Sequence, residues 1–138
     1  MTLFVPRRLT TLFKGTVPKH LDFPEANEDK VRTCDSRQVY VLSDGASESY
    51  NSSLWADVIV EAWFKSPPRR NFIRWLRNAI GEYESRSDMA NMSWSQQGAF
   101  ERGSFASLLA LNWTAESTLR VTAVGDSMAI LVSDGRIR

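Results

Sequence analysis

The chain has 138 residues, of which 43% are hydrophobic and 24% are charged, so disorder over its whole length is excluded. Its formal net charge is +1, which indicates neither a nucleic-acid partner nor an anionic membrane. The length predicts one domain over residues 1–138. No apolar stretch reaches the roughly 18 residues of a membrane span. The only cysteine, Cys34, excludes an internal disulfide framework and fits a reducing compartment, so we expect a cytoplasmic protein.

The N-terminal third predicts short strands separated by loops. Thr10–Gly15 is predicted to be a first strand, and Val17–Asn27, which contains two prolines, is predicted to be a loop. Gln38–Ser43 contains a continuous apolar run, which is typical of a buried strand. This strand is predicted to end at Asp44-Gly45, a strong turn signal.

The middle of the chain predicts two helices. The first is expected to run from a cap at Ser52 or Ser53 to about Lys65, where a diproline follows. The second is expected to begin after Asn71, because apolar residues then recur at three- and four-residue steps. The polar stretch Glu84–Gln97 is predicted to be a loop. The residues of the apolar stripe in the second helix are Phe72, Trp75, Leu76, Ala79, Ile80 and Tyr83.

The C-terminal third predicts three strands, over Gly103–Trp113, Thr118–Val124 and Ser127–Val132. The second of them alternates apolar and polar residues, which is typical of a half-buried strand. Ser133–Arg136 has the composition of a hairpin turn and predicts a returning strand from Ile137. Because the sequence stops one residue later, we expect a domain that is cut or that another chain completes.

Three acidic segments are candidates for chemistry. Asn27–Asp29 lies in a loop before a short strand, Asp44-Gly45 follows an apolar strand, and Gly125–Ser127 lies between two strands. Each segment alone is more typical of a solvated turn than of a functional site. Acidic side chains at strand ends that face a common cleft would suit Mg²⁺ or Mn²⁺, because these ions prefer oxygen ligands.

In their order, these segments resemble the metal-dependent protein phosphatases of the 2C type. Asn27–Asp29 is similar to the first acidic motif of that family, and Val39–Ser47 is similar to the strand and turn that present its bridging aspartate. Gly103–Leu109 resembles the family's glycine–small residue–alanine strand. Val124–Ile137 resembles the hairpin that follows and is the most specific match. Two predicted helices separate the second motif from the third, as the resemblance requires.

The resemblance implies an α+β fold, a β-sandwich of two antiparallel sheets flanked by helix pairs. It also implies two Mn²⁺ or Mg²⁺ ions and a metal-activated water that hydrolyses phosphoserine or phosphothreonine. By motif, Asp44 is the bridging metal ligand and Gly45 binds through its carbonyl. Glu28 binds the same ion, and Asp29 holds its waters. Asp126 matches the position of a third, weaker metal. Asp44, Glu28 and Asp29 are therefore the implied catalytic residues.

The sequence departs from the family pattern in several places. Pro24 stands where many members have a phosphate-binding arginine, and Met128 replaces another arginine. The later metal aspartates of the family have no counterpart, so the resemblance implies a domain with an incomplete C-terminal half. We expect either a phosphatase acting on a phosphoprotein when the site is completed, or a truncated pseudophosphatase that binds a protein partner or phosphopeptide. An incomplete product without function is the third alternative. A homodimer or the missing half would cover the open sheet edges.

Overall fold

A four-stranded antiparallel sheet and three α-helices form the part of the fold that the computed structural model describes, residues 8–18, 21–113 and 118–137. The α+β class is thus confirmed. The sheet has the order β1-β2-β3-β4, and two further short strands form a separate hairpin. The strands are β1 (Lys30–Cys34), β2 (Val39–Ser43), β3 (Leu108–Trp113), β4 (Leu119–Val124), β5 (Val132–Ser133) and β6 (Arg136–Ile137). The helices are α1 (Ser52–Lys65), α2 (Phe72–Arg86) and α3 (Trp94–Arg102), with 3₁₀ turns at Pro24–Ala26 and Met89–Asn91.

The main core lies between α1 and one face of the sheet. Side chains alternate along a strand, so every second residue of β2 and β3 faces α1. Trp63 of α1 is 2% exposed in this layer, and burying a side chain of this kind contributes about 1.5–3 kcal/mol. The predicted burial of β2 on both faces is therefore confirmed only for the face toward α1, since Tyr40 and Leu42 on the other face are half-buried. The buried residues of the core are Val39, Val41, Ile59, Val60, Trp63, Leu108 and Ala110.

Helix α2 packs on α1 and forms an outer layer. Ala79 and Tyr83 are its buried residues, and they pack with Val58 of α1. Trp63 and Trp75 meet edge to face with ring centroids 5.3 Å apart. The predicted apolar stripe is thus only partly buried, because α2 packs mainly on α1.

The helix caps agree with the sequence at α2 but not at α1. The side chain of Asn71 accepts a hydrogen bond from the Arg74 amide at 2.9 Å, as predicted. At α1 the prediction of Ser52 or Ser53 is wrong, since Asn51 is the cap and has a φ of 43°. Ser52 does not cap the helix because its hydroxyl donates to the carboxylate of Glu28.

Thr10–Gly15 is not a strand, and that prediction is wrong. The hydroxyl of Thr11 donates to Asp35 at 2.7 Å, and the side-chain amide of Gln38 donates to the Leu9 carbonyl at 2.9 Å. The segment is held by side chains of the β1–β2 turn, which offer no ladder of backbone partners. Irregular backbone is the result.

The prediction of a loop over Glu84–Gln97 is also wrong. Helix α2 continues to Arg86, and α3 begins at Trp94. A reciprocal capping box starts α3: the Gln96 amide donates to the Ser93 hydroxyl, and the Ser93 amide donates to the Gln96 side chain. These two bonds satisfy two otherwise unpaired amides, so a polar sequence forms a helix here.

The C-terminal strands are shorter than predicted. Strand β3 begins at Leu108, five residues later than Gly103. Strand β4 lies where it was predicted, but Ser127–Leu131 has no strand conformation. The hairpin turn is confirmed: Asp134 and the following glycine both have positive φ, as a two-residue turn between β5 and β6 requires. Among the described helices, none has both the length and the apolar character that crossing a membrane requires.

Candidate functional site at the motif end of the sheet

Four distant segments meet at one end of the sheet, which we call the motif end: Asn27–Asp29, Asp44–Ser52, Ala106-Ser107 and Gly125–Ser127. Gly45 is buried there and forms an isolated β-bridge with Ala106. A Cβ on Gly45 would lie 3.0 Å from the Ser52 backbone and 3.1 Å from the Glu28 carbonyl oxygen. Only glycine fits without displacing backbone, so the turn after β2 brings the start of α1 close to the first acidic motif.

Ser107 connects β2 to the Gly-Asp-Ser turn. Its amide donates to the Asp44 carbonyl at 2.8 Å, and its hydroxyl accepts from the Asp44 amide at 3.2 Å. The hydroxyls of Ser107 and Ser127 are hydrogen-bonded at 2.5 Å. Gly125 has a φ of 92°, and a Cβ there would lie 3.0 Å from Ser107 Cβ. The turn that carries Asp126 therefore packs closely against Ser107, the residue before β3.

The predicted site residues other than Glu28 occupy different environments at this end. Asp44 and Asp126 are exposed, Asp29 is half-buried and Gly45 is buried. Asp29 and Asp44 line one cavity of about 250 Å³, together with Lys30, Ser127 and residues of the N-terminal segment. Two of the predicted carboxylates thus share a cavity.

Glu28 is engaged differently from the other carboxylates. Its Oε1 accepts a hydrogen bond from the Ser52 hydroxyl, and its Oε2 accepts one from the Ser47 hydroxyl, both at 2.5 Å. Both oxygens that would face a metal ion are therefore bound to the β2–α1 loop. The sequence interpretation missed Ser47 as a site residue and took Ser52 for a helix cap. Their only sequence signal is a hydroxyl-rich run after Asp44-Gly45.

The described side chains do not by themselves fit a two-metal centre. Within the parts of the chain that the structure describes, no three His, Cys, Asp or Glu side chains form a group that could hold a metal ion. An ion of the Mg²⁺ type held by one or two carboxylates depends on water and substrate phosphate for its other ligands. The geometry of these side chains therefore defines no chemical step through a metal ion.

A partly buried hydrogen-bond network connects α2 to the motif end. The Tyr83 hydroxyl donates to the Tyr50 carbonyl at 3.1 Å and is hydrogen-bonded to Ser104 at 2.5 Å. Burial raises the pKa of the Tyr83 phenol, so it stays protonated and available as a donor. The Ser104 hydroxyl also lies within hydrogen-bond distance of the Tyr50 carbonyl. Helix α2 thus holds both the β2–α1 loop and the segment before β3.

A second surface feature is a groove of about 670 Å³ between α1 and α2. At one end Arg86 donates to Asp57 at 2.9 Å, and these charges neutralise each other. At the other end Lys65, Arg69 and Arg74 line the groove. The groove is therefore cationic at this second end, while Glu61 and Glu82 add negative charge elsewhere along its lining.

Comparisons with protein-family models, with curated proteins and with solved structures found no match to this chain.

Proposed function

We propose that this chain is part of a 2C-type metal-dependent phosphatase-like domain that hydrolyses phosphomonoesters on serine or threonine. The observation that carries the proposal is the meeting of the motif segments. Gly45 lies against the Glu28 carbonyl, Ser107 is bonded to Asp44, and Gly125–Ser127 lies against Ser107. The residues that resemble the family's motifs are up to about a hundred positions apart in the sequence. Their convergence supports a common site.

The finer architecture that we propose is the two-sheet sandwich of this family. Its support is the outer face of the sheet, the face opposite α1, where register places Leu42 beside Leu109 and Tyr40 beside Leu111. The N-terminal residues Phe13–Gly15 lie near this face and enclose a cavity of about 320 Å³ with it. Val121, on the same face, is 49% exposed. We propose that the second sheet of the 2C-type fold covers this apolar face, since such a face is stable when buried.

The proposed activity rests on Asp44 among the described residues. Its carboxylate is exposed and lines the same cavity as Asp29, where a divalent cation and a phosphate could both reach it. The family's chemistry is attack on phosphorus by a metal-activated water. Because the described side chains do not complete the two-metal centre, metal binding and turnover are tested separately.

The test is hydrolysis of para-nitrophenyl phosphate by the purified chain with Mn²⁺, with Mg²⁺ and with chelator. Asp44→Asn removes the proposed bridging ligand, and Glu101→Gln on α3 removes an exposed carboxylate far along the chain as a matched control. We expect Mn²⁺-dependent turnover that falls to the chelator level in Asp44→Asn and is unchanged in Glu101→Gln. Turnover that is unchanged in Asp44→Asn would contradict the proposal. So would turnover that is the same with chelator as with Mn²⁺ or Mg²⁺, or the absence of turnover with every metal ion.

The second candidate function is a non-catalytic phosphopeptide-binding module on the same fold. Two observations favour it: both oxygens of Glu28 are engaged by serines, and the α1–α2 groove is cationic at one end. Arginine pairs well with phosphate because its guanidinium donates two parallel hydrogen bonds. An acidic phosphoserine peptide is the ligand that such a groove would accept.

Fluorescence anisotropy with a phosphoserine peptide and its unphosphorylated form tests this candidate. Arg69→Ala and Arg74→Ala should each weaken binding about tenfold, the value of one hydrogen bond to a charged group. Arg77→Ala is the matched control, since Arg77 is exposed on α2 outside the groove. Equal binding of both peptides, or an equal loss in Arg77→Ala, would rule the groove out as a phosphate site.

A further inference from the structure

Glu28 lies two residues before β1, yet its carboxylate is bound to a loop that comes much later in the chain. The Ser47 and Ser52 hydroxyls that donate to it are 19 and 24 residues away in sequence. Both bonds are 2.5 Å long, within the range of hydroxyl-to-carboxylate bonds, which are about twice as strong as bonds between neutral groups. One side chain thus holds two points of the same loop.

The two serines bracket the loop that follows the candidate ligand Asp44. Ser47 lies three residues after it, and Ser52 is the first residue of α1. Ser52 is 2% exposed, so its hydroxyl has little access to water and depends on the Glu28 carboxylate as its acceptor. A negative charge beside the first turn of α1 also interacts favourably with the helix dipole.

The packing around Gly45 strengthens this arrangement. The Glu28 carbonyl and the Ser52 backbone both lie close to Gly45, at 3.1 Å and 3.0 Å from the position of a Cβ. Backbone and side chain of Glu28 therefore act on the same turn. A displacement that carried the Glu28 carboxylate away from this loop would break two short hydrogen bonds.

We infer that Glu28 is a positioning residue: through Ser47 and Ser52 it anchors the β2–α1 loop and sets the place of Asp44, instead of binding a metal ion itself. The anchoring stands on the hydrogen bonds alone, whereas the clause about the metal rests on the proposed function. This assignment differs from the role that the family resemblance implies for Glu28.

Three variants distinguish a positioning role of Glu28 from a role as a metal ligand. Glu28→Gln keeps hydrogen bonding, since a glutamine accepts through its oxygen and donates its NH₂ to a serine oxygen, but it removes the negative charge that a cation requires. Glu28→Ala removes both. Ser47→Ala combined with Ser52→Ala removes the anchor and leaves the carboxylate. Ser85→Ala is the control, because the Ser85 hydroxyl donates only within α2, to the Glu82 carbonyl.

Thermal melting in chelator is the first measurement. We expect Glu28→Ala and the double serine variant each to lower Tm by roughly 5 °C, with Glu28→Gln and Ser85→Ala within about 2 °C of the parent. The triple variant Glu28→Ala, Ser47→Ala, Ser52→Ala should melt no lower than Glu28→Ala, because all three changes remove one unit. Additive losses, or an unchanged Tm in Glu28→Ala, would overturn the anchor.

Titration with Mn²⁺ is the second measurement, with binding followed by isothermal calorimetry. If Glu28 positions Asp44, Glu28→Gln keeps the parent affinity within about twofold while Glu28→Ala and the double serine variant weaken it together. A loss of about tenfold in Glu28→Gln, with unchanged or tighter binding in the double serine variant, would show that Glu28 is a ligand and overturn the inference. If the parent binds no Mn²⁺, the proposed metal-dependent function fails, and the melting data alone decide the anchor.

Discussion

The two ends of the four-stranded sheet have the same kind of contact: a carboxylate accepts hydrogen bonds from hydroxyl groups. At the end formed by the β1–β2 turn, which we call the turn end, Asp35 accepts from the hydroxyl and the amide of Thr11. At the motif end, Glu28 accepts from Ser47 and Ser52. A carboxylate bonded to hydroxyls therefore does not by itself mark a functional site.

The ends differ in what these bonds bring together. The turn end holds the N-terminal segment, whose residues Leu9 and Thr11 bind Gln38 and Asp35. Arg37 of the same turn also donates to the Phe64 carbonyl near the end of α1. The motif end joins four segments, uses glycines where no Cβ fits, and leaves the carboxylate of Asp44 exposed beside a cavity. The meeting of four segments and the exposed carboxylate of Asp44 distinguish the candidate site at the motif end from the structural anchor at the turn end.

The largest expected effect is at Gly125, which combines a positive φ with a close neighbour. Gly125→Ala should lower the free energy of unfolding by about 2–4 kcal/mol, the sum of backbone strain and overpacking against Ser107. Gly135→Ala is the matched change, because Gly135 also has a positive φ, 71°, but no neighbour within 4 Å. It should cost only about 1–2 kcal/mol. Urea unfolding measures both; equal losses would show that the motif end is not tightly packed.

A second prediction concerns Gly45, where space rather than φ requires glycine. Gly45→Ala should destabilise the fold by about 1–3 kcal/mol, because the added methyl meets backbone atoms that cannot move aside easily. Gly81→Ala on α2 should do the opposite and stabilise by up to about 1 kcal/mol, since nothing lies within 4 Å and alanine favours the helix. A stabilising Gly45→Ala, measured in the same urea series, would contradict the close approach at the motif end.

The third prediction separates the turn end from the site. Gln38 is buried, accepts from the Leu9 amide at 2.6 Å and donates to the Leu9 carbonyl at 2.9 Å. Gln38→Ala should cost about 1–2 kcal/mol and release the N-terminal segment, so that trypsin cleaves faster after Lys14. The Mn²⁺ affinity should not change. A change in Mn²⁺ affinity would show that the two ends are coupled and that the comparison fails.

The smallest effect is the pH dependence at Asp35. Hydrogen bonds from Thr11, its hydroxyl first, lower the pKa of the Asp35 carboxyl from its ordinary value of 3.8. A lowered pKa in the folded state means that this stabilisation is complete above the ordinary pKa and is lost as the pH falls through the folded one.

Thr11→Val removes the hydroxyl but keeps the amide, so it should shift the Asp35 pKa upward toward 3.8 and reduce the loss of stability in acid. Carboxyl NMR titration of the parent and the variant measures the pKa directly. An Asp35 pKa that is the same in both would show that the Thr11 hydroxyl does not hold the turn end.

Elements with strong local signals were predicted well. The apolar run of β2, the Asn71 cap of α2 and the Asp134-Gly135 turn all lie where the sequence places them. Helix α3 was missed although its capping-box residues Ser93 and Gln96 are visible in the sequence, because the stretch has no apolar periodicity. The prediction of a strand over Ser127–Val132 was wrong for the opposite reason. Its apolar composition suits a strand, but Ser127 is bonded to Ser107 and no ladder forms over Ser127–Leu131.

For the candidate site, the sequence by itself determined which acidic residues stand at strand ends: Glu28, Asp44 and Asp126. That information is local, since a breaker after an apolar run marks the end of a strand. Only the tertiary structure decided that Asp29 and Asp44 share a cavity while Ser47 and Ser52 take both oxygens of Glu28. The reason is physical: hydrogen bonds between residues about 20 or more positions apart depend on how strands and loops pack, and sequence patterns contain only local preferences.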